Sequence, residues 1–334
     1  MDMNTWVSET IAAKQKQALP VLSFPAIQKM GITVRELIGS ADKQAEAMSV
    51  IARAFPTAAS VSFMDLSVEA EAFGSQIVVS DEEVPTVVGS IVDEDSDPDE
   101  LVVPAVGAGR TSLYIEAIRK VMDEVTDRPV FAGMIGPFSL AGRLMDVNEV
   151  MILCYEEPEL VKAVLEKCTG FLTAYAEAFK EVGANGVVIA EPLAGLLPPD
   201  LLGEFSTPYV RQIVDAVQDD DFLVIYHNCG SSVVKAADAV IATGAKAFHF
   251  GNAIQMEDIL PLMPKDVIVM GNVDPAGEIR LGTPESVRAK TLEVLEACSA
   301  YPNFVISTGC DVPPMAPYEN IQAFFDAVTE FYGR

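Results

Sequence analysis

The chain has 334 residues and carries 22 Lys+Arg against 49 Asp+Glu, a formal net charge of −27. Phosphate binding needs a basic face and the cations form no such cluster, so the balance argues against nucleic acid and anionic membranes as partners. Hydrophobic residues make up 50% of the chain, enough for a sizeable core and too many for a disordered one. No apolar run approaches the ~20 residues that span a bilayer. The N-terminus (MDMNTWVSET) has neither a basic nor an apolar export region, which predicts a cytoplasmic protein whose five cysteines are reduced thiols.

Short runs rich in Val, Ile and Phe predict eight strands in chain order. They are Pro20–Phe24, Ala58–Met64, Pro129–Ile135, Gly186–Ala190, Phe222–Tyr226, Ala247–Phe250, Val267–Met270 and Asn303–Ser307. Helical periodicity lies between them. Ser112–Val125 places apolar residues near a 3.6 period, and Pro158–Val182 is long, amphipathic and closed by Gly183. Pro284–Ala297 follows Thr283 as its N-cap, and Ile321–Phe331 closes the series. Strand–helix alternation implies parallel strands with crossover helices, and eight units imply an α/β fold of the (β/α)8, or TIM, barrel type. The first ~50 residues are expected as an N-terminal helical extension packed outside the barrel. Residues 76–103 break the rhythm as an inserted excursion, with β-like pieces around Ile77–Val79 and an acidic run, Asp93–Asp99. That run lacks the turn glycine and terminal glutamate of a calcium loop in register, so it reads as a solvated loop. With no repeat and no Gly/Ser linker, residues 1–334 read as one barrel domain.

Barrel chemistry sits in the loops that follow the strands. Asp65 follows the second run and Glu191-Pro192 the fourth, while the fifth leads into His227-Asn228-Cys229-Gly230. Gly251-Asn252 follows the sixth, Asn272, Asp274 and Pro275 the seventh, and Gly309-Cys310-Asp311 the eighth. Two thiolates and an imidazole suit zinc, so His227, Cys229 and Cys310 are the expected metal ligands, with a fourth position open. Against this stands the ordinary use of cysteine as a small buried residue. Cys154, Cys168 and Cys298 fall on apolar helical faces and read as packing, and His249 inside the sixth strand reads as lining or packing. A zinc ion with two thiolates and a neutral imidazole is formally neutral. Such an ion is poorly suited to making hydroxide and well suited to lowering the pKa of a substrate thiol, which implies alkyl transfer to a thiol. Glu191, Asp65 and Asp274 are candidate catalytic residues that orient ligands or substrate, or else rim residues that hydrogen-bond the loops.

The motifs Met64–Gly74 (MDLSVEAEAFG), Gly136–Ala141 (GPFSLA), His227–Gly230 (HNCG), Gly271–Pro275 (GNVDP) and Ser307–Pro314 (STGCDVPP) resemble the uroporphyrinogen decarboxylase superfamily. Within it the resemblance is to the branch of methylcobamide:coenzyme M methyltransferases. It implies a (β/α)8 barrel in which zinc on the H-x-C…C residues activates a thiol to take a methyl group from a methylcorrinoid carried by a partner, a corrinoid-binding protein. The chain departs from the superfamily at two places. Pro20–Leu37 lacks the arginine cluster with which the decarboxylases grip porphyrin carboxylates. Relatives often place an acidic zinc ligand after the sixth strand, where this chain has Gly251-Asn252, so Glu191, Asp311, water or the substrate thiol would fill that position. The expected function is zinc-dependent, corrinoid-linked methyl transfer with a coenzyme M-like thiol. The alternatives are a donor-side methyltransferase (O- or N-demethylation) loading a corrinoid protein, a decarboxylase, and a barrel that only docks a corrinoid protein.

Overall fold

The computed structural model describes residues 1–333. Seven strands form one curled, all-parallel sheet: β1 (Ser60–Val61), β4 (Val130–Ile135), β5 (Gly186–Ala190), β6 (Leu223–Asn228), β7 (Ala247–Phe250), β8 (Ile268–Val273) and β9 (Phe304–Thr308). Each pairs with the next in the series β1-β4-β5-β6-β7-β8-β9. The intervening strands β2 (Gln76–Val78) and β3 (Thr86–Val88) form a separate antiparallel ribbon inside the 76–103 excursion. The acidic run beyond it is largely exposed and turns through local bonds, among them Ser96 Oγ to Asp93 at 2.6 Å.

The expected strand at Pro20–Phe24 is instead an extended segment with no ladder of its own. Proline supplies no N–H, so one rung is lost at Pro20. Single bonds still tie this stretch to both sheet edges. The Leu19 N–H donates to the Ile306 carbonyl of β9 at 3.0 Å, and Ser23 Oγ donates to the Val61 carbonyl of β1 at 2.5 Å. The run expected at Ala58–Met64 shortens to Ser60–Val61 for the same reason, since its neighbour on that side offers few rungs.

Crossover helices follow the expected spans within a few residues, at Thr111–Glu124, Pro158–Glu181, Pro284–Cys298 and Tyr318–Tyr332. Gly183 closes the long helix at φ +98°, a conformation that disfavours any Cβ. Thr283 accepts from the Ser286 N–H in a capping box. Among the described residues, no helix is long and apolar enough to cross a membrane.

Strand alternation divides the core into two layers. Residues such as Val187, Ile189 and Val224 pack outward against the helices. Val61, Phe131, Val188, Ala190, Leu223, Ile225, Ala247, Ile268, Met270 and Val305 fill the interior of the curl. The first helix, Met3–Ala12, joins that inner layer through Met3 and Val7, and its Trp6 ring lies 5.7 Å from Phe131. The N-terminal segment therefore does not pack wholly outside the curled sheet. Its first helix covers the end where the strands begin, because its apolar face has only the open inner layer to bury against.

Truncating Phe131 to Ala should open a cavity in this layer and cost about 3–5 kcal/mol of unfolding free energy. The emission of Trp6, the only tryptophan of the chain, should shift to longer wavelength in the same variant. A stability change under 1 kcal/mol with unaltered emission would contradict the plugged inner layer.

Candidate functional site

The inward side of the sheet becomes polar only near the strands' C-terminal ends. His227 and His249 are register partners in β6 and β7 and both point inward, which brings their rings to 4.7 Å between centroids. Ser307 on β9 faces the same space. These groups form one chain of hydrogen bonds. Ser307 Oγ donates to the Leu19 carbonyl at 2.7 Å, so the Ser307 oxygen accepts from His249 Nε2 at 2.8 Å. His249 Nδ1 then lacks a proton and accepts from His227 Nδ1 at 2.7 Å, while the His249 carbonyl accepts from the same nitrogen at 3.2 Å. Carbonyl oxygens can only accept, and one stands at each end, so both polarise the chain the same way. The proton of His227 is thereby assigned to Nδ1, leaving Nε2 as a lone pair.

That lone pair lies 3.6 Å from Cys310 Sγ. A tetrahedral ion bound at ~2.1 Å to nitrogen and ~2.3 Å to sulfur would space the two by about 3.6 Å. Burial holds the His227 imidazole down at about 4, against the help of its bond to the His249 carbonyl, so it is neutral near pH 7. Burial also pushes His249 well down, reinforced by His227. Burial first, then the neighbouring Cys229 thiol and the Asp311 carboxyl, pushes the Cys310 thiol up to about 12. Burial likewise raises Cys229. A divalent ion would therefore have to displace both thiol protons, which a metal can do and no nearby base can.

Cys229 lies just beyond β6, with its Cβ packed on Gly251. An added Cβ at Gly251 would fall 2.5 Å from it. The contact leaves no room for a side chain at Gly251, the first residue after β7. Among the described residues no three His, Cys, Asp or Glu side chains converge as a ready-made metal cluster. The donor chemistry and the His227–Cys310 spacing fit a zinc ion, with Cys229 adjacent.

The same two residues and Asp311 form the polar head of a narrow pocket of about 80 Å³. Its walls are Val21, Met64, Leu66, Val188, Ala190 and Pro192. Asp311 Oδ2 accepts from the Met64 N–H at 3.1 Å, while its buried Oδ1 has no hydrogen-bond partner. Burial pushes this carboxyl up to about 8.

None of the three expected catalytic acids lines the pocket. Asp65 is committed to Arg110, to Tyr114 at 2.8 Å and to Ser67 Oγ at 2.6 Å, and Arg110 also holds Glu71 at 2.6 Å. Glu191 lies on the outward side of β5 and accepts from Phe138 N at 2.9 Å, Ser139 N at 3.0 Å and Ser139 Oγ at 2.7 Å. It thus caps the helix Pro137–Met145 that the GPFSLA motif opens. Asp274 caps the turn Pro275–Arg280 through Ala276 and Gly277, both at 2.9 Å. The three acids hold loops rather than reach into the pocket. Cys154, Cys168 and Cys298 are buried in the helical layer. Ser307 and the Leu19 carbonyl escaped sequence reasoning, although inward parity at a strand end marks Ser307.

Glu69, buried beside this network, accepts from the Ile135 N–H at 3.0 Å through one oxygen only. Burial raises it from 4.5 to about 7, as burial does Glu191, whose three donors oppose the shift. A raised folded pKa means the native state binds more protons than the unfolded chain between those values, so stability falls as pH rises through that window. The unfolding midpoint should drop from pH 5 to pH 8, and Glu69→Gln should flatten the slope. An unchanged slope in that variant would exclude Glu69 as a contributor.

The chain is 29% identical over 328 residues to a methylcobamide:CoM methyltransferase, MtbA, of Methanosarcina acetivorans, covering 93% of this chain and 94% of that one. It is 24% identical over 307 residues to a uroporphyrinogen decarboxylase of Alcanivorax borkumensis, covering 88% and 85%. In fold it superposes on a methyltransferase from Methanosarcina mazei with a TM-score of 0.85 at 23% identity, over 99% of both chains. A B12-independent methionine synthase from Shewanella shares the fold at a TM-score of 0.60 and 12% identity, covering 96% of each chain. Residues 8–331 match the family described as uroporphyrinogen decarboxylase (URO-D), and the chain belongs to that family.

Proposed function

We propose that this protein is a zinc-dependent, corrinoid-linked methyltransferase that moves a methyl group between a methylated corrinoid protein and a small thiol. The observation that carries the reading is the His227 Nε2 lone pair held 3.6 Å from Cys310 Sγ at the pocket head. His227 and Cys310, with Cys229 beside them, would hold the ion. Zinc so bound has no net charge and, with a position open, lowers the pKa of a thiol ligand.

The chain's own residues supply the rest. The Ser307–His249 pair fixes the tautomer and aim of the His227 ring, as supporting partners of metal-bound histidines do. The apolar pocket walls exclude water from the thiol and restrict its approach. Segment 18–23, read as an eighth stave, completes a (β/α)8 barrel around this pocket. The pocket lined by His227, Cys310 and Asp311, at about 80 Å³, has room for a small thiol and none for a macrocycle, so a corrinoid would be met at its mouth while held by its own protein. Pockets for drug-sized ligands run to roughly 300–1,000 Å³. The same size limit argues against porphyrin decarboxylation, as does the engagement of Arg110 with Asp65 and Glu71. The relatives named as methylcobamide:CoM methyltransferases support the reaction class. A cytoplasmic location would keep the thiols reduced.

Purified protein should contain about one zinc per chain and should demethylate methylcobalamin in the presence of a thiol. Cys310→Ala and His227→Ala should lose both zinc and transfer, the latter by 100-fold or more. Ser307→Ala should weaken zinc binding by ~10-fold while leaving its ligands in place. Protein that is metal-free and cannot be loaded, or that shows no thiol-dependent demethylation, would refute the proposal.

A further inference from the structure

One half-buried cation in this acidic chain has no partner. Arg143 forms no ion pair among the described residues, and its buried Nε has no hydrogen-bond partner. Its two terminal nitrogens also bond to nothing in the chain and remain open to solvent. The other half-buried arginines among the described residues each hold a carboxylate. Arg110 takes Asp65 and Glu71, Arg128 takes Asp127, and Arg280 takes Glu83. Covered arginines are ordinarily paired, because a guanidinium stripped of water without a counter-charge is costly. Burial pushes the pKa of Arg143 down, and no carboxylate lies near enough to push it back. The residue falls in the last turn of the helix Pro137–Met145, where a cation suits the helix dipole. That benefit needs no buried Nε, so it leaves the missing counter-charge unexplained.

Its neighbours in the helix fix where Arg143 stands. Gly142 packs on Leu193, since an added Cβ there would fall 2.5 Å from the Leu193 side chain. Ser139, one turn before Arg143 on the same face, accepts from the Leu193 N–H at 3.1 Å. Leu193 belongs to the loop after β5, whose Pro192 lines the pocket. The Leu144 carbonyl accepts from the N–H groups of Ile91 and Val92, at 2.8 and 3.0 Å, in the excursion that follows β1. Arg143 therefore stands on the rim between two loops that follow strand ends, at the end of the sheet that holds the pocket. A guanidinium offers a planar fork of donors that matches an oxyanion in two-point contact. We propose that Arg143 is a rim site for an oxyanion (carboxylate, sulfonate or phosphate) on a small molecule that enters the pocket or lies across its mouth. Under the thiol-and-corrinoid reading, on which this inference rests, two sources supply such a group. One is the far end of the acceptor thiol, and the other is the phosphodiester in the nucleotide loop of a corrinoid.

Two pairs of probes separate the sources. 2-Mercaptoethanesulfonate and 2-mercaptoethanol differ in the charge of the far end, while methylcobalamin and methylcobinamide differ in the nucleotide loop and its phosphate. Calorimetric titration of each into full-length protein, as isolated and after zinc loading, reads binding without any methyl transfer. In at least one pair the oxyanion-bearing member should bind about tenfold tighter than its counterpart. Arg143→Met should remove that preference and leave binding of the counterpart unchanged, and Arg143→Lys should restore part of it. A preference in the thiol pair assigns the group to the acceptor, and one in the corrinoid pair assigns it to the methyl donor. In buffer free of multivalent anions Arg143→Met should melt no lower than the parent, because an unpaired cation is lost. A lower midpoint would give Arg143 a structural role and overturn the inference. Equal binding within both pairs, no binding of any probe, or a preference that survives Arg143→Met would overturn it as well. A preference that Arg143→Met abolishes, in protein with no thiol-dependent demethylation, would uphold the oxyanion site and refute the proposed function.

Discussion

The protonation pattern of two histidines governs what the interior of this curled sheet can hold. His227 and His249 share register on adjacent strands, and the Leu19 and His249 carbonyls impose one direction on the hydrogen bonds between them. Everything at the pocket head follows from that direction. Reversed, the chain of bonds would put a proton on His227 Nε2, facing Cys310, and the pair could bind no cation. Ser307, anchored to the Leu19 carbonyl at the far end, and the His249 carbonyl together keep this from happening.

The surrounding architecture serves the same constraint. The inner layer is apolar from the first helix up to Ala190 and Met270, so the polar groups are confined to one end and deprived of water. Confinement keeps both imidazoles neutral and both thiols protonated in the absence of a cation. Of the two readings that the sequence offers for the rim acids, orienting a ligand or hydrogen-bonding the loops, the contacts seen are of the second kind. Glu191 ties β5 to the start of the helix Pro137–Met145, and Asp274 shapes the turn after β8. Gly195 and Gly230 let the loops after β5 and β6 touch, since a Cβ on Gly230 would sit 2.0 Å from the Gly195 carbonyl oxygen.

Much of the fold was legible because buried parallel strands are continuous apolar runs, and β5 and β7 appear with the expected bounds. The segment at Pro20–Phe24 looked like a strand by composition, but composition does not register a missing amide hydrogen. The position of the first helix was hidden as well, because an amphipathic segment does not say which open face it will cover. At the site, residue type pointed to His227, Cys229 and Cys310, whereas the direction in which Asp65 and Glu191 face depends on strand parity at the rim. Parity fails as a guide where a strand ends and the loop turns. Ser307 and His249 acquire meaning only as neighbours across strands far apart in the chain.

The most direct test exploits the fact that the chain has two histidines. Nitrogen-15 NMR of histidine-labelled, metal-free protein at pH 7 should show two neutral rings of opposite tautomer, His227 protonated on Nδ1 and His249 on Nε2. Adding one equivalent of zinc should shift the Nε2 resonance of His227 and leave the tautomers unchanged. Two rings both protonated on Nε2, or a zinc response confined to other nitrogens, would contradict the account.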